Sequence, residues 1–265
     1  MSNRLVVVML ALTLCPFALA QQNSGQAAVG PDSTTTCSVT FTSGSGHNAT
    51  QFCVTVNGNV IQLSRGGDEY IQVGGPGEGY GICDLTTGVG YFDYGFNESG
   101  NWNPSTLTTT STKAISTRTT ADGIWQITNT ITKVAATATG PGSVKVGVKI
   151  KNMTGINRTI IFVRQADADF LRGGVSDFNN DFDFTQDTSW GIEPGFRSGL
   201  SLTTNTFSFA YDAYTQSIPS GPDPCSPGAA LAPQPFVGDG SIAMVYELVV
   251  PKGTVKTINM TYKPI

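Results

Sequence analysis

The residues best suited to do chemistry lie in the run Asp177-Phe178-Asn179-Asn180-Asp181-Phe182-Asp183-Phe184-Thr185-Gln186-Asp187. Successive side chains of an extended chain point to opposite faces. Asp177, Asn179, Asp181, Asp183 and Asp187 then share one face, and Phe178, Phe182 and Phe184 the other. Carboxylate and amide oxygens gathered on one face are what a hard cation requires. Asp177, Asn179, Asp181 and Asp183 are therefore the candidate metal ligands, and calcium the candidate ion. The spacing at 177, 179 and 181 matches the start of a helix-loop-helix calcium loop, but Phe182 stands where that loop needs Gly and Thr188 where it needs Glu. A solvated acidic face competes for the same residues.

A second set joins Tyr91, Tyr94, Trp102 and Trp190 to the carboxylates Asp167 and Asp169. A pyranose offers an apolar face to stack on a ring and hydroxyls to bond, so aromatics beside carboxylates and amides suit a sugar. The same aromatics are equally good strand residues with a core to fill. Glycoside hydrolysis needs two carboxylates at a suitable separation; Asp167, Asp169, Glu193 and Glu247 are available, and no pattern singles out a pair. There is no Gly-x-Ser-x-Gly elbow, and the one histidine, His47, sits in a Gly/Ser turn. The glycine-rich stretch 65–81 has no Gly-x-x-x-x-Gly-Lys-Ser/Thr and no helix-forming segment after it, so it is not a phosphate loop.

The elements that must position these groups are strands. Ser143–Asn152 alternates most clearly, with Val144, Val146, Val148 and Ile150 on one face and Lys145, Lys149 and Lys151 on the other. Residues 123–134 alternate as well, and 158–169 are apolar before they place Asp167 and Asp169 on one face. Turn residues at Gly142, 153–157 and 173–174 suggest that these strands are neighbours in a meander. Asn57-Gly58 between alternating segments predicts a hairpin of strands near 52–56 and 60–64. Further strand pairs are expected at 199–204 with 206–213, and at 241–250 with 254–262. No amphipathic helix of ordinary length is visible.

The first twenty residues have the form of a signal peptide: Arg4, an apolar run from Leu5 to Leu14, and Ala18-Leu19-Ala20 as a cleavage site before Gln21. Residues 21–36 have almost nothing to bury and should form a flexible arm. Four cysteines remain, which in an oxidising compartment implies two disulfides. Three connectivities are possible; the preferred one pairs Cys37 with Cys53, which flank a Gly/Ser turn and would lie on adjacent strands, leaving Cys83 for Cys225.

The expected fold is all-β, one large antiparallel β-sandwich over 37–265, with two immunoglobulin-like halves as the alternative. The net charge of −4 and the absence of a basic cluster in the sequence argue against nucleic acid and anionic membranes as partners. No segment of the mature chain is apolar enough for a transmembrane helix. Fold does not fix function. The missing catalytic constellation and Thr-rich polar surface suggest an exported, non-enzymatic protein with an adhesive, structural or surface-associated role. Its partner would be an extracellular protein, a second copy of itself or a glycan. The alternative is a carbohydrate-binding or carbohydrate-active protein using the aromatics and carboxylates.

Overall fold

The computed structural model describes residues 36–71, 77–168, 170–172, 175–177, 179–195, 198–216, 221–226 and 235–265. The expected signal peptide, nearly all of the arm, Asp169 and Phe178 lie outside them. In chain order the strands are β1 (Val39–Ser43), β2 (Thr50–Val54), β3 (Val60–Arg65), β4 (Asp68–Ile71), β5 (Glu78–Asp84), β6 (Val89–Asp93), β7 (Thr106–Thr109), β8 (Lys113–Thr119), β9 (Trp125–Val134) and β10 (Ser143–Asn152). The second half adds β11 (Arg158–Asp167), β12 (Phe170–Arg172), β13 (Val175–Asp177), β14 (Asn180–Phe184), β15 (Thr188–Glu193), β16 (Ser198–Thr204), β17 (Ala210–Gln216), β18 (Phe236–Gly238), β19 (Ser241–Val250) and β20 (Val255–Pro264). The described helix is a single 3-10 turn at Gly46–Asn48.

These strands form three antiparallel sheets. Nine strands run in the order β18-β14-β15-β16-β20-β10-β9-β8-β7, five in the order β17-β19-β11-β5-β6, and six in the order β1-β2-β3-β4-β12-β13. The fold is thus the all-β sandwich expected, with the nine-stranded sheet as its largest layer. Alternation decides which side chains go inside: Val144, Val146, Val148 and Ile150 of β10 are fully buried, whereas Lys145 and Lys149 are exposed. They join Ile127 and Ile131 of β9, Ile258 and Met260 of β20, and Ile82, Phe162 and Met244 of the five-stranded sheet in one apolar cluster. Phe41, Phe52 and Leu63 of the six-stranded sheet belong to the same cluster.

Both expected disulfides are present, Cys37–Cys53 and Cys83–Cys225. The second fastens the segment at 221–226 over β5 and β6, where Gly81 and Gly90 lie beneath Pro224.

Three expected neighbour pairs are not neighbours. β10 lies between β9 and β20, while β11 lies between β19 and β5 in the opposite layer. The same separation holds for β16 and β17 and for β19 and β20. In each case the short connection crosses from one sheet to the other instead of folding back within it. The acidic run divides in the same way, β13 pairing with β12 and β14 with β15. A turn signal marks where the chain reverses but not which layer the next strand joins.

The Asn57-Gly58 turn does close β2 onto β3, and it is inserted between the layers. Gly58 has φ 86°, and a Cβ there would lie 2.8 Å from Asn129 Cβ, so both conformation and space call for glycine. Around the turn is a buried polar lattice. Arg164 Nη2 donates to Glu78 Oε2 at 2.9 Å and to the Gly58 carbonyl at 3.1 Å, Nη1 donates to Asn129 Oδ1 at 3.2 Å, and Nε donates to Glu78 Oε1. Glu78 also accepts from the Val60 N–H at 2.6 Å and the Tyr262 hydroxyl at 2.8 Å. Beside it, Arg118 donates to Asp93 at 2.7 Å and Glu98 at 2.8 Å, and Asn57 donates to Asp93 at 2.7 Å. Through Asn129 and Tyr262 the lattice fixes β9 and β20 against β5 and β11.

Removing one partner of a buried pair leaves an uncompensated charge. Arg164→Met is therefore expected to lower stability by about 3–5 kcal/mol in urea unfolding; a loss below about 1 kcal/mol would mean that water reaches the pair.

Burial pushes the phenols of Tyr80, Tyr94, Tyr214, Tyr246 and Tyr262 above their ordinary value. Their folded-state pKa exceeds the unfolded one, so the stability they contribute is intact below about pH 10 and falls as pH rises from there. Tyrosinate absorbance should appear together with cooperative alkaline unfolding. Stepwise ionisation in a still-folded chain would contradict this core.

Candidate functional site

One side of the nine-stranded sheet faces away from the core. Register fixes what stands on it. Lys113 of β8 pairs with Thr132 of β9, and Lys145 of β10 pairs with Thr132 on one side and Thr261 of β20 on the other. One pleat along, Gly147 lies between Thr130 and Asn259; one further, Lys149 lies between Thr128 and Thr257. These positions surround a groove of about 640 Å³ lined by Lys113, Thr130, Thr132, Lys145, Gly147, Lys149, Asn205, Thr257 and Asn259. Its long side chains stand toward the margins. Gly147 has none, and it forms the floor.

Asn205 reaches the groove by a different route. β16 ends at Thr204, whose hydroxyl accepts from the Thr206 N–H at 3.0 Å and from the Tyr246 hydroxyl at 2.7 Å. The Thr206 hydroxyl then accepts from the Asn259 N–H at 2.7 Å, while the Asn205 N–H donates to the Asn259 carbonyl at 2.8 Å. This laces the segment to β20. Asn205 Oδ1 accepts from the Thr261 hydroxyl at 2.7 Å. The side walls are thus held by hydrogen bonds, and the floor by the buried faces of β9, β10 and β20.

Among the described residues, none of Lys113, Lys145 and Lys149 has an ion-pair partner, and neither a carboxylate nor a histidine lines the groove. The site offers ammonium groups, hydroxyls and amides. It can hold a polar, oxygen-rich ligand.

The residues singled out from sequence are distributed as follows. Tyr91, Tyr94 and Trp102 are buried. Tyr91 donates to Asp122, Tyr94 to the Pro222 carbonyl at 2.8 Å, and Trp102 Nε1 to the Phe92 carbonyl at 3.2 Å with the Arg118 guanidinium 4.7 Å from its ring. Their rings are committed to the interior and present no stacking surface. Trp190 of β15 is half-buried on the open face, where it pairs with Asp183 and Ser201. Asp167 is buried at the end of β11. Asp181 is exposed and Asp183 half-buried on the open side of β14, opposite the buried Phe182, as alternation requires. Asn179 is exposed, and Asp177 belongs to β13 in another sheet. Among the described residues no three His, Cys, Asp or Glu side chains gather closely enough to hold a metal ion.

Lys145 and Lys149 were visible in the sequence as the polar side of β10. Lys113, Asn205 and Asn259 carried no signal by themselves, since only strand register brings them together.

The sequence matches no protein-family model and no curated protein. Solved structures share its fold. A putative aldose 1-epimerase from Escherichia coli K12 superposes with a TM-score of 0.50 at 8% identity, covering 86% of this chain and 99% of that one. A bacterial glucoamylase complexed with acarbose gives a TM-score of 0.59 at 9% identity over 90% of this chain. The chain spans 34% of that glucoamylase. At such identities the likeness defines the class of fold, a large antiparallel sandwich, and nothing finer. Among the described residues no helix is long and apolar enough to cross a membrane.

If Gly147 is kept for the groove and not for folding, a side chain there should help the strand. A Cβ would meet Asn259 Oδ1 at 3.2 Å, a side chain able to move aside, and the glycine's φ is not positive. Glycine inside a strand costs stability. Gly147→Ile is expected to raise stability by roughly 0.5–1 kcal/mol, read from the denaturation midpoint.

Proposed function

We propose that this is an exported carbohydrate-binding protein whose binding site is the groove on the open face of the nine-stranded sheet. The observation that carries this reading is the groove itself. It is a preformed concavity of about 640 Å³ with hydroxyls, amides and ammonium groups converging over a glycine floor. A sugar presents donors and acceptors on all sides, and such a lining can satisfy them while the fold is already rigid, so little ordering cost opposes binding. Trp190 is half-buried on the same face but stands on β15, two strands beyond β20 and outside the groove lining.

The shared fold supports the ligand class: one of the similar structures is a putative aldose 1-epimerase and the other a glucoamylase with acarbose bound. The lining favours binding over cleavage, because glycoside hydrolysis needs two carboxylates at the site and the described lining has none. Two disulfides support folding in an oxidising compartment.

The test is a glycan-array and calorimetric survey of the chain made without N-glycosylation, since Asn259-Met260-Thr261 would accept a glycan inside the groove. At least one glycan family should bind, and Gly147→Ile and Asn259→Ala should each weaken it about tenfold, equivalent to 1.4 kcal/mol, without lowering the melting midpoint. Binding that ignores both substitutions would move the site elsewhere; no binding by any glycan would remove the reading.

A further inference from the structure

The groove's charge distribution says more about its ligand than its shape does. Of the chain's eight lysines, five (Lys113, Lys145, Lys149, Lys151 and Lys263) stand on the open face of this one sheet, although the chain as a whole carries a net charge of −4. Three of the five line the groove. The carboxylates on that face, Asp181 and Asp183, lie on β14, three strands beyond β20 and outside the groove lining.

The spacing is regular because the sheet is. Lys113 and Lys145 belong to one row across the strands with Thr132 between them, two strand spacings or about 9.5 Å apart. Lys145 and Lys149 are two pleats apart along β10, roughly 13 Å. A polymer lying across the strands therefore meets a cation at every second strand and a hydroxyl at the strand between. That row suits an acidic sugar chain, because one pyranose is about as long as one strand spacing, so alternate sugars set their anionic groups against a lysine and those between set hydroxyls against a threonine.

We infer that the groove binds an acidic polysaccharide, carboxylated or sulfated, lying across β8, β9, β10 and β20, with Lys113, Lys145 and Lys149 facing its anionic groups. This rests on the carbohydrate-binding reading above and narrows it to a substrate class. A nucleic acid is the other polyanion of suitable length. The described lining contains neither an arginine nor an aromatic ring to stack on bases.

The experiment compares polygalacturonate, its fully methyl-esterified neutral form and double-stranded DNA by affinity electrophoresis and calorimetry against the full chain. Lys113→Gln, Lys145→Gln and Lys149→Gln are tested singly and together. Polygalacturonate should bind at least tenfold more tightly than its ester or DNA, and more weakly as salt rises. Each substitution should weaken it roughly twofold to fivefold, with unchanged melting, because the three side chains are at the surface. If the ester binds as tightly as the acid and the lysine variants bind normally, the acidic class is overturned while carbohydrate binding stands. DNA binding as tight as polygalacturonate would make the groove a general polyanion site and overturn the inference. If neither polymer binds, the inference falls; if the wider glycan survey is also empty, the functional reading falls with it.

Discussion

Arg164 and Glu78 carry opposite charges where solvent does not reach, and the surrounding structure is shaped by the need to satisfy both. A buried ion pair is tolerated only when its remaining donors and acceptors also find partners. Here they are found in several segments: the Val60 amide and Gly58 carbonyl beside the first hairpin turn, Asn129 on β9 and Tyr262 on β20. Apolar contacts alone would let the two large sheets slide on one another. The lattice allows one alignment, and with it one relative placement of β9, β10 and β20.

That placement matters on the far side of the sheet. Asn129 and Tyr262 face inward, while Thr130 and Thr261, the next residues along, face outward beside the groove. Fixing the inner residue fixes the outer one because a strand's pleat is rigid on the scale of one residue. The groove face therefore has little freedom of its own. Its short threonines, its glycine floor and its lysine margin are presented by strands whose other side is locked into the core.

Much of the fold was legible in the sequence. The alternation of Val144 to Ile150 against Lys145 to Lys151, the turn at Asn57-Gly58 and the pairing of Cys37 with Cys53 all depend on residues close in the chain, where local geometry acts. The candidate site was legible only in fragments. The lysines of β10 were visible as a polar face, but nothing local to Lys113 or Asn205 linked them to Asn259, more than fifty residues further on in the nearer case. The aromatics between 91 and 102 showed the opposite difficulty: their composition suits a sugar surface and a core equally, and burial under neighbouring layers commits Tyr91, Tyr94 and Trp102 to the core.

The sequence by itself determined the class of fold and the inside and outside of each long strand, and favoured one of three cysteine pairings, because period-two patterning and turn chemistry are properties of short stretches. Tertiary structure alone decided which strands are neighbours. β10 and β11, β16 and β17, and β19 and β20 follow one another in the chain yet lie in different layers. A short connection can either fold back or cross over, and the outcome depends on which partner buries the apolar face and satisfies the backbone of the arriving strand. Only after that choice is made do Lys113, Lys145, Asn205 and Asn259 meet around one groove.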